Sequence, residues 1–133
     1  MLDHVTLGVS NIERAVQFYD RALHPLGIAR LYAEEQRFAG YGIPPKAFFW
    51  IGTRPSTQSD AHIAFTANDR ATVDRFYEEA IAAGGKDNGR PGIRPHYHPD
   101  YYGAFVLDPD GHNVEAVCHD AGADAKNLVQ FGP

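Results

Sequence analysis

The stretch "HVTLGVSNIERAVQFYDRAL", residues 4–23, lies without a gap over "HIAFTANDRATVDRFYEEAI", residues 62–81, at an offset of 58 residues. His4 falls on His62, Leu7 on Phe65, Phe18 on Phe76, Tyr19 on Tyr77, Ala22 on Ala80 and Leu23 on Ile81. Self-similarity at one fixed offset is the mark of a duplicated supersecondary unit. Each copy opens on an alternating strand pattern. Val5, Leu7 and Val9 share one face, and His4, Thr6 and Gly8 the other. Helical spacing follows at Ile12, Ala15, Val16, Tyr19, Leu23 and Leu26, and Gly27 suits the position after a helix end. Ser10-Asn11-Ile12-Glu13 reads as a capping box with Ser10 at the N-cap. Gly27 falls on Gly85, beside Gly84, where the second helix should stop.

Outward from the repeat, three strands are expected over roughly residues 28–34, 36–42 and 47–53, with Pro44-Pro45 in the last turn. Asp108-Pro109-Asp110-Gly111 is a strong turn signal, so residues 101–107 and 112–118 should form a hairpin. The pattern is β-α-β-β-β twice. It predicts an α+β chain whose two paired modules form a cupped, barrel-like mixed sheet with helices on the outer face. Residues 1–133 read as one domain, with module one over 1–57, module two over 58–119 and a tail over 120–133. The tail reads as a closing segment or as an arm over a partner subunit. Neither module can cover its sheet alone, so the two should pack together or exchange across a dimer.

Composition sets bounds. The 133 residues are 44% hydrophobic and 12% aromatic, enough for one domain with a real core. The net charge is −5 and no basic run occurs, so nucleic acid is not an expected partner. No stretch approaches the ~18 to 20 apolar residues of a membrane span, and the first residues read as strand rather than signal peptide. The single cysteine, Cys118, makes no internal disulfide, fits a reducing cytoplasm and reads as a small core residue.

The alternation in the second copy places His62, Ala64 and Thr66 opposite Ile63, Phe65 and Ala67. If a helix covers each apolar face, both histidines point to the uncovered concave side, toward a shared cleft. In Asn113-Val114-Glu115-Ala116-Val117, Glu115 is the one carboxylate of an apolar run. A charge buried in a strand is costly unless it is paired or binds a metal. Alone, a strand histidine is an ordinary hydrogen-bonded residue, and Glu115 a salt-bridge partner for an arginine. Together, two neutral imidazoles and a carboxylate suit a divalent ion such as Zn, Mn, Fe, Ni or Co, with coordination positions left open. In "RPGIRPHYHPDYYGAF", residues 90–105, the substrate contacts expected are Arg94 for an anionic group, His96, and one of Tyr101 and Tyr102. His98 is a further candidate for the cleft. His24 reads as a helix end, and His112 and His119 as residues flanking the last strand.

The paired modules, the amino-terminal histidine of each and "DPDGHNVE", residues 108–115, resemble the vicinal oxygen chelate superfamily. That group includes glyoxalase I, fosfomycin-resistance thiol transferases, extradiol dioxygenases and bleomycin-resistance proteins. The resemblance implies that His4, His62 and Glu115 are metal ligands and that Tyr101 rather than Tyr102 faces the site. It also implies a homodimer whose cupped sheets each surround a metal, and a small substrate with neighbouring oxygens. The function implied is a metal-dependent lyase, isomerase, thiol transferase or dioxygenase. The alternative is a metal-free drug- or metabolite-binding protein of the bleomycin-resistance type. Glyoxalase I has an additional glutamate on the fourth strand of module one. Here that stretch reads Ala47-Phe48-Phe49-Trp50-Ile51, so lactoylglutathione lyase activity is not expected, and Trp50 or Phe49 should form an apolar wall instead. The fosfomycin enzymes carry a serine-rich potassium loop and a tyrosine where this chain has Gly103 and Phe105, so fosfomycin modification is not expected either.

Overall fold

A computed structural model describes residues 1–54 and 61–120. Module one runs β1 (Val5–Val9), α1 (Ile12–Ala22), a 3-10 turn (His24–Leu26), β2 (Ala29–Glu34), β3 (Phe38–Ile43) and β4 (Lys46–Thr53). Module two runs β5 (His62–Thr66), α2 (Arg70–Ala82), β6 (Lys86–Ile93), β7 (Tyr102–Leu107) and β8 (Asn113–Cys118). The sheets have the orders β1-β4-β3-β2 and β5-β8-β7-β6, with β1 parallel to β4, β5 parallel to β8 and the other pairs antiparallel. This is the expected α+β duplication. The two sheets are curved and do not close into a barrel. The junction between the modules and the tail beyond residue 120 lie outside the described residues.

The helix start differs from the expected capping box by one residue. Asn11, not Ser10, is the N-cap, and its side chain accepts from the Arg14 N–H at 3.0 Å. Asp69 stands at the same position of the repeat and accepts from the Thr72 N–H at 2.7 Å. Ser10 is drawn away to Asp110, to which it donates through its hydroxyl at 2.6 Å and its backbone N–H at 3.0 Å. Helix α1 stops at Ala22, so Leu26 belongs to the 3-10 turn, which Gly27 closes at φ 76°. The second β-α-β-β-β unit requires a strand directly after α2, but its bounds were not readable; it is β6. Its Gly89 and Gly92 break the alternation and coincide with shifts in its register against β7, the weak β propensity a sequence pattern misses. The substrate loop is therefore shorter than expected, from 94 to 101.

Both helices pack against each other and against the apolar faces of their sheets, giving one core. The repeat shows in it: Phe18 and Phe76, and Ala22 and Ala80, are all fully buried. Phe49 meets Phe65 edge-on at 5.3 Å between the modules. Each such aromatic contributes roughly 1.5–3 kcal/mol by burial. Cys118 is buried, as expected of a core residue. The Asp108–Gly111 turn locks the modules. Buried Asp108 accepts from the Tyr19 hydroxyl at 2.5 Å, and His112 Nε2 donates to the Gly8 carbonyl at 2.8 Å. The modules thus dock through their helices, and each leaves its concave face to solvent, where Thr6, His62, Ala64 and Thr66 are exposed. Among the described residues, no helix is long and apolar enough to cross a membrane.

Candidate metal centre

On the concave face of module two, Ala64 of β5 and Phe105 of β7 both stand opposite Glu115 of β8. That register brings His62 Nε2 to 2.8 Å from Glu115 Oε1. The glutamate is 1% exposed, whereas the histidine side chain is half exposed. The Tyr101 hydroxyl donates to Glu115 Oε2. Burial first, and then this bond, pushes the Tyr101 phenol well above its ordinary range, so it stays protonated. Gly103 makes the approach possible: a Cβ there would sit 3.1 Å from the Tyr101 ring and 3.2 Å from Glu115 Oε2. Tyr102 turns to the other face, donating to Asp74 of α2 at 2.6 Å beneath the Arg70 guanidinium.

Arg94 lies on a glycine floor. A Cβ on Gly89 or Gly92 would come within 3.1 or 3.2 Å of its guanidinium, which donates to the carbonyls of Gly92 and Arg90 at 2.8 and 2.7 Å. The same guanidinium stands 5.3 Å from the Phe105 ring, whose centre is 6.1 Å from that of His62. His96 is not drawn in; it is exposed and packs on Tyr97. Two histidines do border Tyr101. His98 Nδ1 accepts from the Asp100 N–H at 3.1 Å, so its proton is on Nε2 and is donated to His119 Nδ1 at 2.8 Å. Both rings stand on Tyr101, at 5.4 and 5.3 Å. The reading of His119 as a mere flanking residue misses this. Residues 115, 117 and 119 share a parity, which signalled the face His119 takes but not its partner.

Module one carries the matching face. Its groove of about 560 Å³ is lined by His4, Thr6, Phe38, Trp50 and Arg54 among others. Trp50 stands opposite Thr6, as Glu115 stands opposite Ala64, and Thr6 and Ala64 are the same repeat position. Trp50 therefore occupies the station of Glu115. Its indole rests over Gly40, where a Cβ would come within 2.6 Å of the ring, and lies nearly parallel to Tyr32 at 5.8 Å. Phe49 is core instead, packed against Tyr19, Tyr41 and Phe65. His4 Nδ1 lies 2.6 Å from Asp3 Oδ2, and Lys46 Nζ donates to Asp3 Oδ1 at 2.8 Å.

One chain brings His62 and Glu115 into contact, and His4 and His62 line one groove with Phe49 and Phe65. Among the described residues, no three His, Cys, Asp or Glu side chains gather at one point. The expected set of His4, His62 and Glu115 is therefore not assembled among the described residues of one chain, whose modules pack along their helices. The donors present nevertheless fit a divalent ion. Ligand distances of about 2.1 Å put neighbouring donors roughly 3 Å apart, close to the separation of His62 and Glu115.

A family model described as the Glyoxalase/Bleomycin resistance protein/Dioxygenase superfamily matches residues 1–116. A crystal structure of a glyoxalase/bleomycin resistance protein from Albidiferax ferrireducens is similar at a TM-score of 0.78 and 30% identity, covering 89% of this chain and 98% of that one. A glyoxalase I mutant from Zea mays shares the fold at a TM-score of 0.63 and 20% identity, over 87% of this chain and 43% of that one. In sequence, the Metallothiol transferase FosB of Shouchella clausii is 27% identical, over 98% of this chain and 86% of its own. With two β-α-β-β-β units and a family match spanning both, the chain belongs to the Glyoxalase/Bleomycin resistance protein/Dioxygenase superfamily.

Proposed function

We propose that the protein is a metal-dependent enzyme acting on a small oxygen-bearing substrate, with its centre shared between two copies of the chain. His62 and Glu115 of one copy and His4 of the other would hold a divalent cation. The observation that carries this reading is the pair itself: a carboxylate 1% exposed, on an open concave face, 2.8 Å from an imidazole nitrogen. Desolvating a carboxylate is costly unless a cation or several donors compensate. The second copy is supported by β1 and β5, which are edge strands on one side of their sheets, and by exposed Leu2 and Ile43 near them.

When bound there, a divalent ion supplies Lewis-acid polarisation of a substrate oxygen. The chain's own groups do the rest. Arg94, fixed on its glycine floor, presents a guanidinium edge to an anionic substrate group. Tyr101 keeps its proton on the phenol oxygen and gives Glu115 Oε2 a donor, which leaves Oε1 for coordination. Trp50 and Tyr32 supply an apolar wall and exclude water. The name of the metallothiol relative favours thiol transfer among the reaction classes. Lactoylglutathione lyase activity is disfavoured, because an indole holds the position where that chemistry has a carboxylate. Calorimetric titration with Zn²⁺, Mn²⁺, Co²⁺ and Ni²⁺ tests the reading. One ion per chain is expected, with His62→Ala and Glu115→Gln abolishing it; equal binding by the variants overturns it.

The parallel Tyr32–Trp50 pair favours a second reading, sequestration of a planar aromatic compound without metal. In that case Glu115→Gln binds the compound as well as wild type does, and Trp50→Ala does not.

A further inference from the structure

We infer that Asp3, itself held by Lys46, is the positioning residue that sets which nitrogen of His4 reaches the centre; this rests on the metal reading above. Asp3 and His4 are consecutive, and in a regular strand consecutive side chains leave opposite faces. Strand β1 begins only at Val5, so the pleat does not govern this pair. Lys46, the first residue of β4, draws Asp3 across with a 2.8 Å bond to Oδ1 and leaves Oδ2 for His4 Nδ1 at 2.6 Å.

The chemistry follows from donor and acceptor roles. A carboxylate only accepts, so the proton of neutral His4 is on Nδ1 and the lone pair on Nε2. An unrestrained imidazole in water prefers the opposite tautomer, which would place a proton on the coordinating atom. A histidine ligand oriented by a carboxylate on its other nitrogen is a common arrangement around metals. The two modules differ here. His62 Nε2 stands beside Glu115 Oε1, its proposed fellow ligand, and the residue before it is Ala61, which has no carboxylate to offer Nδ1. His4 has Trp50 at the corresponding station, where no carboxylate exists, and Asp3 precedes it.

The test uses the full chain as wild type, Asp3→Ala and Asp3→Asn. Long-range proton–nitrogen spectra of labelled protein without added metal read the His4 tautomer, and calorimetry with Zn²⁺ reads affinity. Wild type should carry the His4 proton on Nδ1. Asp3→Ala should move it to Nε2 and weaken Zn²⁺ binding by about 10- to 100-fold. Asp3→Asn, whose amide oxygen still accepts, should keep the tautomer and recover most of the affinity. A wild-type proton on Nε2, an Asp3→Ala affinity equal to wild type, or an Asp3→Asn loss as deep as that of Asp3→Ala overturns the assignment. Failure of wild type itself to bind Zn²⁺ overturns the metal reading and this inference together. Unchanged Zn²⁺ binding by Asp3→Ala overturns this one alone.

Discussion

Trp50 and Glu115 hold the same station in the two halves of a duplicated fold, opposite Thr6 and Ala64, which are one position of the repeat. One half thus offers an indole where the other offers a buried carboxylate. In the proposed centre this exchange would put an aromatic wall where a fourth donor could stand. Restoring the donor is a direct check. Trp50→Glu should tighten Zn²⁺ binding at least ~10-fold, since a further anionic oxygen reaches the same ion. Unchanged affinity on calorimetry would show that this station does not face the metal.

Glu115→Gln keeps the shape of the site and removes the charge. Zn²⁺ affinity should fall by more than ~100-fold, because an amide is a poor ligand for zinc. The melting temperature should move by only a few degrees, as the Tyr101 hydroxyl keeps an acceptor. A large thermal loss with zinc binding retained would make Glu115 a structural residue.

Tyr19→Phe probes the lock between the modules. The lost hydroxyl, 2.5 Å away, takes the donor from Oδ2 of buried Asp108, whose Oδ1 keeps the N–H groups of Asp110 and His112. Removing a donor from a buried charged acceptor costs roughly 1–3 kcal/mol, which chemical denaturation should show as a lower midpoint with an unchanged slope. No shift would mean that the turn does not tie the halves together.

Asp69→Ala should cost about 1 kcal/mol, the usual worth of an N-cap. The bonds from Thr72, its side chain first and then its backbone, hold the Asp69 carboxyl below its ordinary 3.8. A depressed carboxylate stabilises fully above the unfolded value and loses that stabilisation as pH falls through the folded one. The gap between wild type and Asp69→Ala, measured by urea unfolding, should therefore be largest near neutrality and shrink below pH 3.8. A gap that widens in acid contradicts this. Asp69→Asn should cap with little pH dependence.

Much of this was legible in the sequence. The offset of 58 residues carried the strands, the helices and the paired histidines, because a repeat reports backbone structure twice. It also held the correct cap, since Asn11 overlies Asp69, but Ser10 matched the capping-box pattern and its pull toward Asp110 is a contact 100 residues away. The repeat called for a strand after α2, but the bounds of β6 were hidden by Gly89 and Gly92, which give Arg94 a floor only in three dimensions. The alternation separating Tyr101 from Tyr102 was readable; the pairing of His98 with His119 was not, because it joins a loop to the end of β8. The docking of the modules was the least legible feature. It is set by helix-to-helix packing and by Asp108, and among the described residues it leaves His4 outside any cluster of three donors.

The proposed centre joins His4 of one copy to His62 and Glu115 of another. His4→Ala and Glu115→Gln chains, each alone, should bind no zinc tightly. Unfolded together in equal amounts and refolded, they form mixed dimers in which one of the two centres is intact, so zinc binding should return to about a quarter of the wild-type level for a two-fold dimer. No recovery on mixing, with wild type binding fully, would place all three ligands in a single chain and contradict the account.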